Sequence, residues 1–298
     1  MGEKSLEARL LSRMRQRANS GRISRRETSG PLRLSFAQQR LWFLDRLAPG
    51  GAEYLIPFGL HVEGPLQLPA LETALTGLVA RHEILRTRFV ADEGGEPTQV
   101  VDAPWRVTVT EHDLRDTTDA GTRESRAQEL LKARAGRPFD LATGRLLRAD
   151  VVRVADAEQY LLITMHHIVS DGWSEGIIGR ELRDGYAAAL GAGTAAVKVP
   201  EPPALQYADF SQWQRQWLTG DVLDRQLGYW RAALAGLEPL ELPTDHRRPV
   251  VRSDGGDAVT FTIGAELADR VKAIGAGEGA SLFMTLLAVF QVLLSKYS

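Results

Sequence analysis

Apolar and polar positions change their period repeatedly along the chain, and each change marks an element. In "LSFAQQRLWFLDRL", Phe36, Arg40, Phe43 and Leu47 share one helical face, and Ser35 stands where a capping residue belongs. "FGLHVEG" alternates as a strand does, and "PALETALTGLVARHEIL" begins a helix after Pro69. "TRFVADEGGEPTQVV" reads as two strands joined by a glycine-containing turn, and "TRESRAQELLKARAGRPFDL" as a helix stopped by Gly136 and Pro138. The strands "RLLRADVVRV" and "YLLITMHHI" then flank the short turn "ADAEQ", which predicts a hairpin. Ile177, Ile178, Leu182, Tyr186 and Leu190 return to helical spacing, so "MHHIVSDGWSEG" between them is a strand-to-helix junction.

The second half is less regular. "GAGTAAVKVPEPPAL" is rich in Gly, Ala and Pro and predicts a connector with a boundary near 192 to 203. Beyond it come a helical segment containing Trp213, Trp217 and Trp230, a loop around "LPTDHRRP", a strand "AVTFTI" and two helices. The apolar run Leu282–Leu294 is interrupted by Thr285 and Gln291, falls short of the roughly 20 residues that span a bilayer, and reads as a buried helix. No membrane association is expected. Residues 1–30 read as a leader or linker: Leu6, Leu10, Leu11 and Met14 follow helical spacing among Lys4 and eight arginines up to Arg33, with no secretory core.

Composition narrows the chemistry. With 44% hydrophobic and 25% charged residues, the 298-residue chain is globular, of one large domain or two smaller ones. A formal net charge of −2 argues against nucleic acid as a partner. Cysteine is absent, which excludes disulfides and thiolate nucleophiles and makes the cytoplasm the expected compartment.

The junction concentrates the reactive groups. "GWSEG" has the form of a nucleophile elbow, but that chemistry needs an acid and then a histidine downstream, and the only later histidine is His246, in a proline-containing loop. Ser174 is expected instead to cap the following helix. His166, His167 and Asp171 are of metal-ligating type, but adjacent residues on a strand point to opposite faces, which counts against a metal site. The same period leaves one imidazole free to face a cleft as base or hydrogen-bond partner and turns the other inward.

"HHIVSDG" matches the HHxxxDG signature of the condensation domains of nonribosomal peptide synthetases, within the chloramphenicol acetyltransferase-like superfamily. "LSFAQQRLWFLDRL", "RHEILRTRF" (Arg81 to Phe89) and "YADFSQWQR" from Tyr207 resemble three further segments of that family, in the family's order. The resemblance runs from about residue 31 to the end. It implies an α/β fold of two chloramphenicol acetyltransferase-like lobes in a V. The N-terminal lobe over 31–195 would be complete, and residues 196–298 would be the connector and the beginning of a partial C-terminal lobe. It implies a tunnel in which the amine of one carrier-bound amino acid attacks the thioester of another, with the junction midway along it.

By the same resemblance His167 is the catalytic residue and His166 supports it. Asp171 is structural and pairs with Arg86, and Gly172 allows close backbone approach. No cofactor is bound directly; the substrates ride on phosphopantetheine arms. The implied partners are upstream and downstream peptidyl carrier proteins and adjacent adenylation domains or synthetase modules. Wording of the first and third segments is most similar to domains joining an L-configured donor to an L-configured acceptor, and Met165 stands where β-lactam-forming relatives carry a histidine. The family's domain extends further than Ser298, which implies exposed apolar surface on the second lobe and leaves the activity of the fragment alone to be measured. Alternatives are an acyltransferase of the superfamily with a hydroxyl or soluble-amine acceptor, or a docking or remnant module. Residues 5–17 are expected to dock an upstream synthetase protein or to be mere linker.

Overall fold

The structure, a computed structural model, describes residues 21–26, 32–117, 119–192, 201–247, 249–250 and 259–298. The leader helix expected over 5–17 and residues 193–200 of the connector lie outside the described residues.

The chain divides into two compact units, Met1–Arg225 and Gln226–Ser298. In the first, β1 (Leu32–Arg33) and α1 (Phe36–Leu47) precede β2 (Leu55–Glu63), α2 (Leu68–Arg81) and a short helical turn at Glu83–Arg86. There follow β3 (Thr87–Ala91), β4 (Pro97–Val101), β5 (Val109–Asp113), α3 (Ala120–Ala135), β6 (Leu147–Ala155), β7 (Glu158–His166), α4 (Gly172–Ala192) and α5 (Tyr207–Trp217). α6 (Gly220–Ala233) carries the chain into the second unit, where α7 (Ala265–Gly277) and α8 (Leu282–Tyr297) lie.

Four strands form the main sheet in the order β2-β7-β6-β5. β6 and β7 are the hairpin expected from the sequence, in register from Leu147 opposite Met165 to Arg153 opposite Gln159, with a shift before Ala155 meets Glu158. β5 joins β6 in parallel, and α3 between them makes the crossover such a pair requires. The alternation along β7 sorts its side chains: Leu161, Ile163 and Met165 enter the large core with α2 and α4, while Tyr160 meets Val152, Val154 and Ala127 beneath α3. Ile163 and Met165 have no exposed surface, and burial of each stabilises the sheet by roughly 1.5–3 kcal/mol. His166 closes the strand on the same parity as Tyr160. A second sheet, β1-β4-β3, holds the pair of strands expected around the glycine-containing turn.

The compact units divide after Arg225, and α5 belongs to the first of them. There Arg215 Nε donates to the Leu34 carbonyl at 2.7 Å and Gln214 Oε1 accepts the Phe36 N–H at 3.0 Å. Two expectations differ from the structure. Residues 259–264 form no strand, since among the described residues of the second unit there is no other strand to complete a ladder. α8 is helical as expected but not buried. Phe283 is 73% exposed, because α7 covers only part of it, approaching so closely at Gly275 that a Cβ there would collide with Thr285. Among the described residues no single helix is long and apolar enough to cross a membrane.

Candidate functional site

The two histidines sit where β7 ends, and the backbone there is held from both sides. His166 N–H donates to the Leu146 carbonyl at 3.2 Å, and His167 N–H to the Tyr54 carbonyl at 2.7 Å. The chain then folds back, with Val169 N–H donating to the His166 carbonyl at 3.0 Å, before α4 starts at Gly172. The strand-to-helix junction expected from the sequence is therefore present, and it separates the imidazoles as the period of a strand requires.

His166 is only 4% exposed, and its Nδ1 accepts the Ile168 N–H at 3.1 Å. That bond leaves the proton of the neutral ring on Nε2. Burial, reinforced by the neighbouring His167, pushes the His166 pKa down to about 4, so the ring is neutral near pH 7. His167 is exposed, and its Nδ1 lies 2.9 Å from the Ser170 carbonyl oxygen. A carbonyl only accepts, so Nδ1 carries a proton, and in the neutral ring Nε2 keeps a free lone pair. His167 is thus the ring with a basic nitrogen available to a ligand.

Asp171 is the cap of α4, with its carboxylate accepting both the Ser174 hydroxyl, at 2.6 Å, and the Ser174 N–H, at 2.9 Å. The hydroxyl bond, with the backbone N–H and His167 assisting, holds the carboxyl below the usual carboxylate range. The cap expected at Ser174 is therefore supplied by Asp171, three residues earlier, and Ser174 occupies the third helical position. Its hydroxyl bonds to Asp171 and not to a histidine, which is no arrangement for a nucleophile.

The pairing of Asp171 with Arg86 is corrected by the structure. Arg86 donates to the Asp102 carbonyl at 2.5 Å and lies 3.9 Å from Glu83, and Arg86 and Asp171 form no ion pair. The reason is local: Arg86 ends the turn that enters β3 and is directed along the smaller sheet, where Asp102 N–H donates to the Arg86 carbonyl at 2.9 Å. Gly172 is open on its side-chain face, since an added Cβ would meet nothing within 4 Å. Among the described residues no group of three His, Asp or Glu could hold a metal.

Gln38 was not singled out by the sequence, yet it links three segments. Its side chain accepts the Ser35 N–H at 3.0 Å, lies 3.5 Å from the Ile168 carbonyl and receives the Ser211 hydroxyl at 3.4 Å. Ser35 Oγ meets the Tyr207 hydroxyl at 3.1 Å. The S-x-x-Q spacing of a capping box was the available signal. α1 and α5 thereby back the loop that follows the histidines.

The family model of the Condensation domain matches residues 29–298. The chain is 48% identical over 268 residues to one of the proteins that make up the linear gramicidin synthase of Brevibacillus parabrevis, covering 90% of this chain and 3% of that protein. It is 42% identical over 292 residues to phosphinothricin tripeptide synthetase PhsC of Streptomyces viridochromogenes, covering 96% of this chain and 26% of that one. Among solved structures, the X-domain from teicoplanin biosynthesis superposes with a TM-score of 0.78 at 27% identity, over 93% of this chain and 59% of that one. The first condensation domain of the CDA synthetase gives 0.72 at 23% identity, over 91% and 63%, and shows the same α/β fold. The chain spans about a quarter or less of these curated relatives and under two thirds of these solved chains.

Proposed function

The chain belongs to the condensation-domain family, and from that premise we propose that it forms a peptide bond between two amino acids carried as thioesters on separate carrier proteins. The donor is an aminoacyl or peptidyl thioester on the phosphopantetheine arm of an upstream carrier, and the acceptor is the aminoacyl group on a downstream one. The acceptor amine attacks the donor carbonyl; the C–N bond forms, the C–S bond breaks, and the ammonium proton leaves through His167 Nε2 towards the departing thiolate. No acyl-enzyme is needed, in keeping with a chain that has no cysteine and a serine bonded to a carboxylate. L-configured donor and acceptor are part of this reading, supported by the wording of "SFAQQRLWFL" and "HHIVSDGWS".

The observation that carries the proposal is the contact of His167 Nδ1 with the Ser170 carbonyl at 2.9 Å, which makes Nε2 the acceptor of the neutral form of an exposed ring. General base catalysis of this kind contributes about 10²–10⁴-fold, whereas holding two reactants in line contributes roughly 7–11 kcal/mol. Positioning therefore outweighs proton transfer, and His167→Ala is expected to slow condensation without abolishing it. The test is intact-mass measurement of transfer between loaded donor and acceptor carrier proteins. An unchanged rate in His167→Ala would remove that residue from the reaction. Turnover with a soluble amine or alcohol and no acceptor carrier would reassign the chain to acyltransferases of free nucleophiles.

A further inference from the structure

The peptide unit between Ser170 and Asp171 is gripped at both ends. Its carbonyl accepts the His167 Nδ1–H at 2.9 Å, and its N–H points at Ser174 Oγ at 3.4 Å. Ser174 is itself oriented: its hydroxyl proton goes to Asp171 Oδ1 at 2.6 Å, so the lone pairs are left for that N–H. The Ser174 N–H also donates to Asp171 Oδ1 at 2.9 Å and lies 3.0 Å from the Asp171 carbonyl. Turning this peptide over would break the bond to His167 and the bond to Ser174 together.

A neutral imidazole has one proton and two places for it, and the partner at one nitrogen decides the other. We infer that Ser174 is a positioning residue for His167: by pinning the Ser170–Asp171 peptide it holds the His167 proton on Nδ1 and keeps Nε2 free as base. This goes beyond the HHxxxDG signature, which ends at Gly172, and its catalytic part rests on His167 acting as proposed above. Without the hydroxyl the peptide can rotate, the Ser170 carbonyl leaves Nδ1, and the ring relaxes towards the Nε2–H form that an unconstrained imidazole prefers in water.

The test is nitrogen-15 NMR of the full 298-residue chain labelled at histidine, which distinguishes the tautomers directly and needs no substrate. His167 is expected as Nδ1–H in the wild type and in Ser174→Thr, which keeps the hydroxyl, and as mainly Nε2–H in Ser174→Ala. In the carrier-protein assay Ser174→Ala should lose roughly ten- to hundredfold in kcat with KM little changed, and Ser174→Thr should recover most of it. A His167 that stays Nδ1–H in folded Ser174→Ala overturns the inference. Should that variant not fold, Ser174→Gln carries the test: its side-chain oxygen can reach the same N–H, as in a capping box, so Nε2–H there overturns it. A tautomer switch in Ser174→Ala beside an undiminished rate in His167→Ala would uphold the pinning and sink the reading of His167 as base. The reverse pair of results would do the opposite.

Discussion

His166 and His167 carry their ring protons on opposite nitrogens. His166 gives up Nδ1 to the Ile168 N–H at 3.1 Å, and His167 spends its Nδ1–H on the Ser170 carbonyl at 2.9 Å. Two neighbours of identical type thus become a buried donor with a suppressed charge and an exposed acceptor, through main-chain contacts alone.

Stability should fall as His166 is forced to ionise. Its folded pKa of about 4 lies below the unfolded value near 6.5, so the unfolded chain binds more protons in between and stability is lost as pH drops through that window. The loss should approach about 3 kcal/mol by pH 4. Urea denaturation at successive pH values measures it, and His166→Asn, which keeps an acceptor for Ile168 N–H but cannot titrate, should flatten the difference.

Asp171→Ala should remove the cap of α4 and cost about 1 kcal/mol, within a range of about 0.5–2. The wild-type carboxylate is held low by the Ser174 hydroxyl, so its contribution is present above the unfolded carboxylate range and disappears as pH falls below it. Thermal melts of the two proteins should therefore differ at neutral pH and converge in strong acid.

Arg86 and Asp171 should prove independent. A double-mutant cycle with Arg86→Met and Asp171→Ala is expected to give a coupling under about 0.5 kcal/mol, as residues without shared partners do. Coupling well above that would restore the direct ion pair. Arg86→Met alone should still destabilise by roughly 1–3 kcal/mol, since the Asp102 carbonyl loses a charged donor.

Gln38→Leu is expected to lose roughly 1–3 kcal/mol, because the buried Ser35 N–H and Ser211 hydroxyl are left with fewer partners. Condensation should slow as well, since the Ile168 carbonyl loses its contact with α1. A variant with wild-type stability would show the contacts to be dispensable.

The first unit was largely readable because its elements announce themselves locally. Ser35 marks the start of α1, Gly136 ends α3, and the apolar run around Ile163 and Met165 gives a buried strand. The site was readable as far as residue types and their period went: one histidine inward, one outward. What stayed hidden was long-range or rotational. Nothing in the string of residues says that Arg86 turns towards Asp102, or that the Ser174 hydroxyl points back at the cap it was expected to be. The second unit misled for a related reason, since the apolar run of α8 and the alternation of residues 258–263 speak of burial and pairing only if a facing layer exists.

β7 is an interior strand, laddered to β2 along one edge and β6 along the other. Opening it requires two rows of hydrogen bonds to separate at once, so its amides belong with the last to exchange, whereas the start of α4 is held mainly by a cap. The seam between slow- and fast-exchanging backbone then falls within the reactive loop itself. The backbone of His167 is thereby referenced to the most persistent part of the sheet, while its imidazole takes its orientation from the less protected start of α4.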